Sequence, residues 1–294
     1  MMKKLFLLLF PALMLLGSCK PIDPVVKMNE YNNVVVYSHD LISNTGIATD
    51  YASITVKGDY SSGYYLLGLN DFKLAEGQPL RSSTVGNLIQ YLADENDANG
   101  NEVKYNYAYF QTKGIASYTG DLQVIDLKFG WLSSVYWGSF VGDGYQYQVW
   151  FLPRRIQTYA NKNTIVNVRG DSIVEKAIHP RFDIELDVES STATFTASSI
   201  TLPYSTSTGS QFNIREMVWP SLPIVYTPTG FTIAADSFRP RTAAGNDLYE
   251  ITGLRCSFEA DFDGVRSVEY TLTRLSDGEA VHVLSYFDYF LQQN

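Results

Sequence analysis

The sequence predicts an all-β protein of two tandem antiparallel domains, barrels or sandwiches, with one short inserted helix. From Asn32 onward apolar residues recur with period two rather than 3.6, and Tyr, Val, Thr and Phe segments are punctuated by Gly, Asn and Asp. Four landmarks also occur twice in the same order. The stretch Ser53-Ile54-Thr55-Val56, then Gly63, Gly100 and Gly120, is followed by Ser199-Ile200-Thr201-Leu202, then Gly230, Gly245 and Gly264, at offsets of 146, 167, 145 and 144 residues. One insertion in each copy restores the register, which argues for duplication of a sheet-forming unit.

The chain opens on a leader. Lys3 and Lys4 precede an apolar run from Leu5 to Leu16 and then Gly17-Ser18-Cys19. A basic start, a run too short to span a bilayer and small residues before a cut describe a secretory signal at 1–19. Leu16-Gly17-Ser18-Cys19 resembles a bacterial lipobox, in which the cysteine becomes an acylated first residue. Cys19 is therefore the expected lipidation site, with the membrane engaged through a lipid anchor of the palmitate kind. Residues 20–30, stiffened by Pro21 and Pro24, read as a tether.

Residues 31–175 form the first expected domain. Val34 to Tyr37, Ala52 to Val56 and Tyr64 to Leu69 are its first strands. Val85, Leu88, Ile89 and Leu92 fall at i, i+3, i+4 and i+7 behind Ser83 and Thr84, which predicts a capped helix over 82–92. Oxygen ligands alternate over 94–102, yet Glu95 and Asn106 break the calcium-loop pattern, so a solvated turn is expected there. Residues 103–152 are rich in rings: Tyr105, Tyr107 and Tyr109 share a face, as do Ile125, Leu127, Phe129 and Trp131, and then Tyr145, Tyr147, Val149 and Phe151. Trp131, Trp137 and Trp150 are candidate ligand contacts, because exposed rings stack on the apolar faces of sugars or line an apolar cavity; the competing role for period-two rings is core. A hairpin around Gly170-Asp171 places Val168 opposite Ile173.

Residues 176–294 form the second domain. Phe182, Ile184, Leu186 and Val188 face a core, leaving Asp183, Glu185, Asp187 and Glu189 on a solvated face with basic partners. Pro220 and Pro223 argue that 204–228 is an edge or a loop, with Trp219 a fourth candidate ligand contact. Cys256 alternates with polar residues and reads as a small buried hydrophobe. In the closing meander, apolar matching pairs Cys256 with Leu272 and Phe258 with Tyr270, and a turn at Asp277-Gly278 sets Leu272 against Val283.

Chemistry is sparse. No nucleophile elbow, zinc-binding helix motif, phosphate loop or Cys-x-x-Cys occurs, and His39, His179 and His282 are scattered. No catalytic residue, metal site or cofactor is assigned, and the expectation is no enzyme; two carboxylates brought together by the fold would make a hydrolase the alternative. Loss of residues 1–19 removes two lysines and no acid, so 31 acidic against 20 basic residues give a net charge of −11. Such a surface opposes phosphate backbones, and nucleic acid is not an expected partner.

The lipobox, the Phe182 to Asp187 strand followed by Ser199 to Leu202, the Gly230 to Ile233 strand and the Tyr249-Glu250-Ile251-Thr252 start of the meander together resemble uncharacterised β-rich lipoproteins of Bacteroidetes-type bacteria, some described as calycin-like or lipocalin-like. The resemblance implies a lipid-anchored place in the cell envelope, at the outer membrane, and a binding or accessory role. The resulting expectation is a non-enzymatic lipoprotein that binds a carbohydrate or a small apolar ligand. The alternative is a structural or assembly protein that holds another envelope protein through an exposed β edge.

Overall fold

The computed structural model describes residues 26–59, 64–96, 102–111, 117–119, 122–132, 135–167, 172–175, 180–203, 208–260 and 265–288. The leader, Cys19 and residues 20–25 lie outside them. The first nine strands are β1 (Val26–Asp40), β2 (Thr45–Asp59), β3 (Tyr64–Phe72), β4 (Arg81–Asn96), β5 (Glu102–Gln111), β6 (Ser117–Thr119), β7 (Val124–Leu132), β8 (Val135–Gly142) and β9 (Tyr147–Pro153). The next ten are β10 (Arg155–Asn167), β11 (Ser172–Glu175), β12 (Arg181–Asp187), β13 (Thr192–Pro203), β14 (Gln211–Thr227), β15 (Gly230–Phe238), β16 (Arg241–Thr242), β17 (Tyr249–Glu259), β18 (Arg266–Arg274) and β19 (Ala280–Asp288).

Two closed up-and-down barrels result. In the first, each strand from β1 to β9 pairs antiparallel with its chain neighbour, β6 hanging on β4, and β9 returns to β1. In the second, β10 pairs with β12, the meander runs on to β19, and β19 returns to β10. Closure satisfies both ladder edges of each barrel strand where they overlap, so the exposed β edge expected for partner capture is largely consumed. The sheets change over at Arg154. Residues 155–175, grouped by sequence with the first domain, pair in the second sheet, and β1 takes in Val26 to Glu30 from the expected tether.

The helix expected over 82–92 is a strand. Between the pairs Tyr65 with Leu88 and Leu67 with Val85, β4 carries one residue more than β3. That bulge stretches the apolar spacing from two to three, which imitates a helical repeat. Val85 and Leu88 are both buried inside the first barrel. Pro220 and Pro223 also lie within a strand. β14 bulges between Trp219 and Leu222 opposite Phe195 and Ala193, and β15 pairs with it only from Ile224 onward. Missing amide protons are tolerated at a bulge with one side unpaired.

The closing register differs by an even number of residues. Cys256 pairs with Val268 and Phe258 with Arg266, whereas Leu272 pairs with Val281. An even slip leaves every side chain on its own face, so alternation alone does not discriminate. What decides it is Arg266, which is buried with Nε donating to Glu259 O at 3.0 Å. Ile165, not Val168, stands opposite Ile173; Val168, Gly170 and Asp171 lie outside the described residues. The repeated landmarks keep no common strand rank. Ile54 and Val124 advance by one strand to Ile200 and Val268, but Tyr64 opens the third barrel strand and Gly230 the fifth.

Each lumen is filled by side chains. Val34, Val36, Ile54, Phe129, Phe140 and Phe151 belong to the first core, and Phe182, Phe195, Trp219, Phe258 and Tyr270 to the second. The outward residues Val35, Tyr37, Trp150 and Leu152 of β1 and β9 join the second core. The side wall of the first barrel therefore stoppers an end of the second.

Burial raises the Tyr270 and Tyr136 phenols well above the usual range and pushes Tyr226 up to about 12, with Asp50, Asp187 and Tyr37 adding to the burial at Tyr226. A phenol held neutral in the native state stabilises it fully below the unfolded value of about 10. That contribution is lost as pH rises through the native value. Stability should therefore fall above about pH 10, by roughly 1.4 kcal/mol per pH unit for each such tyrosine. Urea titrations of Tyr270→Phe between about pH 10 and 12 should show the slope reduced by one such increment; an unchanged slope refutes it.

Candidate functional site

The chain crosses between barrels at Pro153-Arg154-Arg155, and a cleft of about 570 Å³ opens there, bounded by Glu30 to Asn33, Tyr51, Tyr136 and Glu185. Two reciprocal bulges in the β1–β2 ladder shape it. β1 carries an extra residue between Tyr31 and Val34, and β2 an extra one between Thr49 and Ala52. Asn33 and Tyr51 sit at those bulges with φ of 63° and 59°. A left-handed backbone is tolerable for asparagine and strained for a bulky ring, and such strain collects at functional sites.

Arg154 ties both barrels to this point. Its N–H donates to Asn33 O at 2.9 Å, and its own carbonyl accepts from Leu186 N at 2.9 Å. The guanidinium donates from Nη1 to Tyr51 Oη at 2.5 Å and from Nε to Leu186 O at 3.2 Å, pairs with Asp50 at 3.3 Å, and lies 5.0 Å from the Tyr51 ring centroid. Arg155 forks onto Asp183, which also accepts from Gln157 Nε2 at 3.1 Å. The Arg155 hydrogen bond holds the Asp183 carboxyl below its usual range. This is the basic partner expected for that acidic face.

The two guanidiniums are thus matched by Asp50 and Asp183, while Glu30 and Glu185 have no ion pair among the described residues. Tyr31 and Tyr136 meet with ring centroids 4.6 Å apart, and burial raises both phenols. A fixed guanidinium, an asparagine pair, carboxylates and tyrosine rings give hydrogen-bond donors, acceptors and flat apolar faces in one place. That set suits a polyhydroxylated ligand.

The tryptophans stand elsewhere. Trp137, Trp150 and Trp219 are fully buried, so the surface platform expected of them does not form. Trp137 lies across Gly130, where a Cβ would come within 1.9 Å of the ring. Trp150 lies between the barrels and Trp219 in the second lumen. Trp131 is described as a backbone position opposite Tyr136, its side chain lying outside the described part, as do the side chains of Tyr105, Tyr107 and Tyr109. Cys256 is a buried free thiol, raised by burial, as expected of a packing residue. Among the described residues no group of three or more His, Cys, Asp or Glu is placed to hold a metal ion. Residues 97–101 lie outside them.

The cleft residues escaped the sequence because non-glycine residues with positive φ carry no composition signal. Adjacent arginines between two strand patterns, Arg154-Arg155, were the available sign.

No family model matches the chain, and no curated protein matches it. Among solved structures, a double mutant of the vaccine antigen Transferrin Binding Protein B from Haemophilus parasuis Hp5 is similar at 8% identity, over 90% of this chain and 76% of that chain, with a TM-score of 0.22. A likeness at that score carries no argument.

Proposed function

We propose that this chain is a lipoprotein, acylated at Cys19 and held at the outer membrane, that binds a short carbohydrate without transforming it. The observation that carries the reading is the inter-barrel cleft, where Tyr31, Tyr51 and Tyr136 adjoin Asn32, Asn33, Arg154 and the carboxylates of Glu30 and Glu185. Filled lumens favour a carbohydrate in the cleft over an apolar molecule in a barrel. The proposed units divide at Arg154.

Because Trp137, Trp150 and Trp219 are buried, their fluorescence is a poor reporter of this site, and calorimetry is the direct measurement. Titrating the mature chain with neutral oligosaccharides should give saturable heat for at least one. Tyr51→Ala and Glu185→Gln should each weaken it about tenfold, the equivalent of 1.4 kcal/mol for one stacked face or charged hydrogen bond. No heat with any member of the panel refutes the reading. Glu30 and Glu185 also bring two carboxylates to one cleft, which keeps the hydrolase alternative testable: release of reducing ends from the bound sugar would replace binding by hydrolysis.

A further inference from the structure

The end of the first barrel remote from this cleft carries a second feature. Successive strands alternate in direction, so the β1–β2 turn, the β3–β4 loop and the β8–β9 turn share one end. There Leu41 is 49% exposed, Ile42 79%, Leu80 55% and Tyr145 63%. Large apolar side chains grouped on connections mark contact surfaces, whereas single ones scattered over a protein do not.

The tips are held in place. Leu41 N donates to Gln146 O at 2.8 Å, joining the first turn to the last. Asp40 Oδ1 accepts from Ile42 N at 2.8 Å and Ser43 N at 3.2 Å, and its other oxygen accepts from Gln146 Nε2 at 3.4 Å. Gln78 of the third connection donates to Tyr147 Oη at 3.5 Å. Asp143, Gly144 and Tyr145 occupy three consecutive left-handed positions, with φ of 47°, 64° and 74°, and the last presents its ring to solvent.

Charge identifies the occupant. Among the described residues, Asp40, Asp71, Glu76, Asp126 and Asp143 stand around these tips, against Lys73 and Arg81. An acidic rim repels anionic lipid headgroups, and it repels a second copy of a chain whose net charge is −9. It matches a protein whose apolar socket is framed by lysine and arginine. Position agrees with this. β1 begins at Val26 at the opposite end and rises for 15 residues, about 45 Å of strand, before reaching Leu41. On the proposed acylation at Cys19, which this point rests on, this end is directed away from the anchor.

We infer that Leu41, Ile42, Leu80 and Tyr145 form a docking surface for a second envelope protein, one that offers an apolar socket within a basic surface. The surface is separate from the cleft, so loss of sugar binding leaves it intact and the reverse.

The test is photo-crosslinking of the full-length, lipidated protein in the cells that encode it. A benzoylphenylalanine is placed at Ile42, at Tyr145 or, as a control on the second barrel, at the exposed Val265. The expected result is one protein adduct shared by Ile42 and Tyr145 and absent from Val265, its crosslinked peptide apolar and flanked by Lys or Arg. Glu76→Lys, at an exposed position of the β3–β4 loop, should cut the adduct from Ile42 at least fivefold. Adducts with lipid, with a second copy of the chain, with a protein lacking that basic frame, or none above the control each overturn the proposal.

Discussion

Trp219→Ala should cost about 3–5 kcal/mol, a large share of the stability of a folded chain. Trp219 is fully buried in the lumen, stacked on Phe195 at 5.5 Å and met edge-on by Phe182 at 5.8 Å and Tyr270 at 5.1 Å. Four strands, β12, β13, β14 and β18, thus meet on one indole. Its truncation leaves a void bounded by rings on opposite walls, and a closed barrel has little freedom to collapse into it. The indole Nε1 is buried with no acceptor among the described residues. Phenylalanine keeps most of the ring and removes that donor, whose unmet desolvation costs about 1–3 kcal/mol. Trp219→Phe should therefore cost far less than Trp219→Ala, under about 1.5 kcal/mol. Urea melts followed by far-ultraviolet circular dichroism check both. Equal losses for the two variants would show that volume in this lumen does not set its stability.

The strand alternation that makes Trp219 a lumen residue was legible, but its consequence was not. Phe182, Ile184 and Leu186 point inward and Asp183 finds Arg155, as period two requires. The prolines beside Trp219 argued for an edge or a loop, and the edge alternative fits, since β15 pairs with β14 only from Ile224; a proline rule alone carries no knowledge of where a neighbouring strand stops. The false helix over 82–92 has a related cause: one inserted residue turns a strand repeat into a helical one, and sequence shows the spacing without its origin. Val34-Val35-Val36-Tyr37 and Val149-Trp150-Phe151-Leu152 held a stronger signal. Unbroken apolar runs mean strands buried on both faces, in this protein by the second barrel outside and the first lumen inside. The cleft was least legible, since its shape comes from bulges at Asn33 and Tyr51 and from long-range contacts of Arg154.

Those two-faced strands lead to the second large effect. Trp150 lies on the outside of β9, yet it is fully buried, with Tyr37 at 5.5 Å, Tyr226 at 6.0 Å and Phe231 at 6.4 Å. Its Nε1 donates to Thr227 O at 2.8 Å, in the strand end leading to the β14–β15 turn. Tyr37 stacks on Tyr226 at 5.2 Å, so two residues from each barrel form one four-ring cluster. A core shared across the junction makes the barrels unfold together, because opening either one exposes rings of the other. Trp150→Ala removes the central ring and leaves the Thr227 carbonyl without its donor, a combined loss of about 3–5 kcal/mol concentrated at the junction. The first lumen, closed by Phe129, Phe140 and Phe151, does not depend on that ring. Differential scanning calorimetry should accordingly show one transition for the parent chain and two for Trp150→Ala, the barrel that loses its stopper melting first. Trp150→Phe keeps the stack and drops only the hydrogen bond, so it should lower Tm while preserving a single transition. If Trp150→Ala melts once at the parent temperature, the barrels do not share a core, and the rigid placement of the cleft between them fails with it.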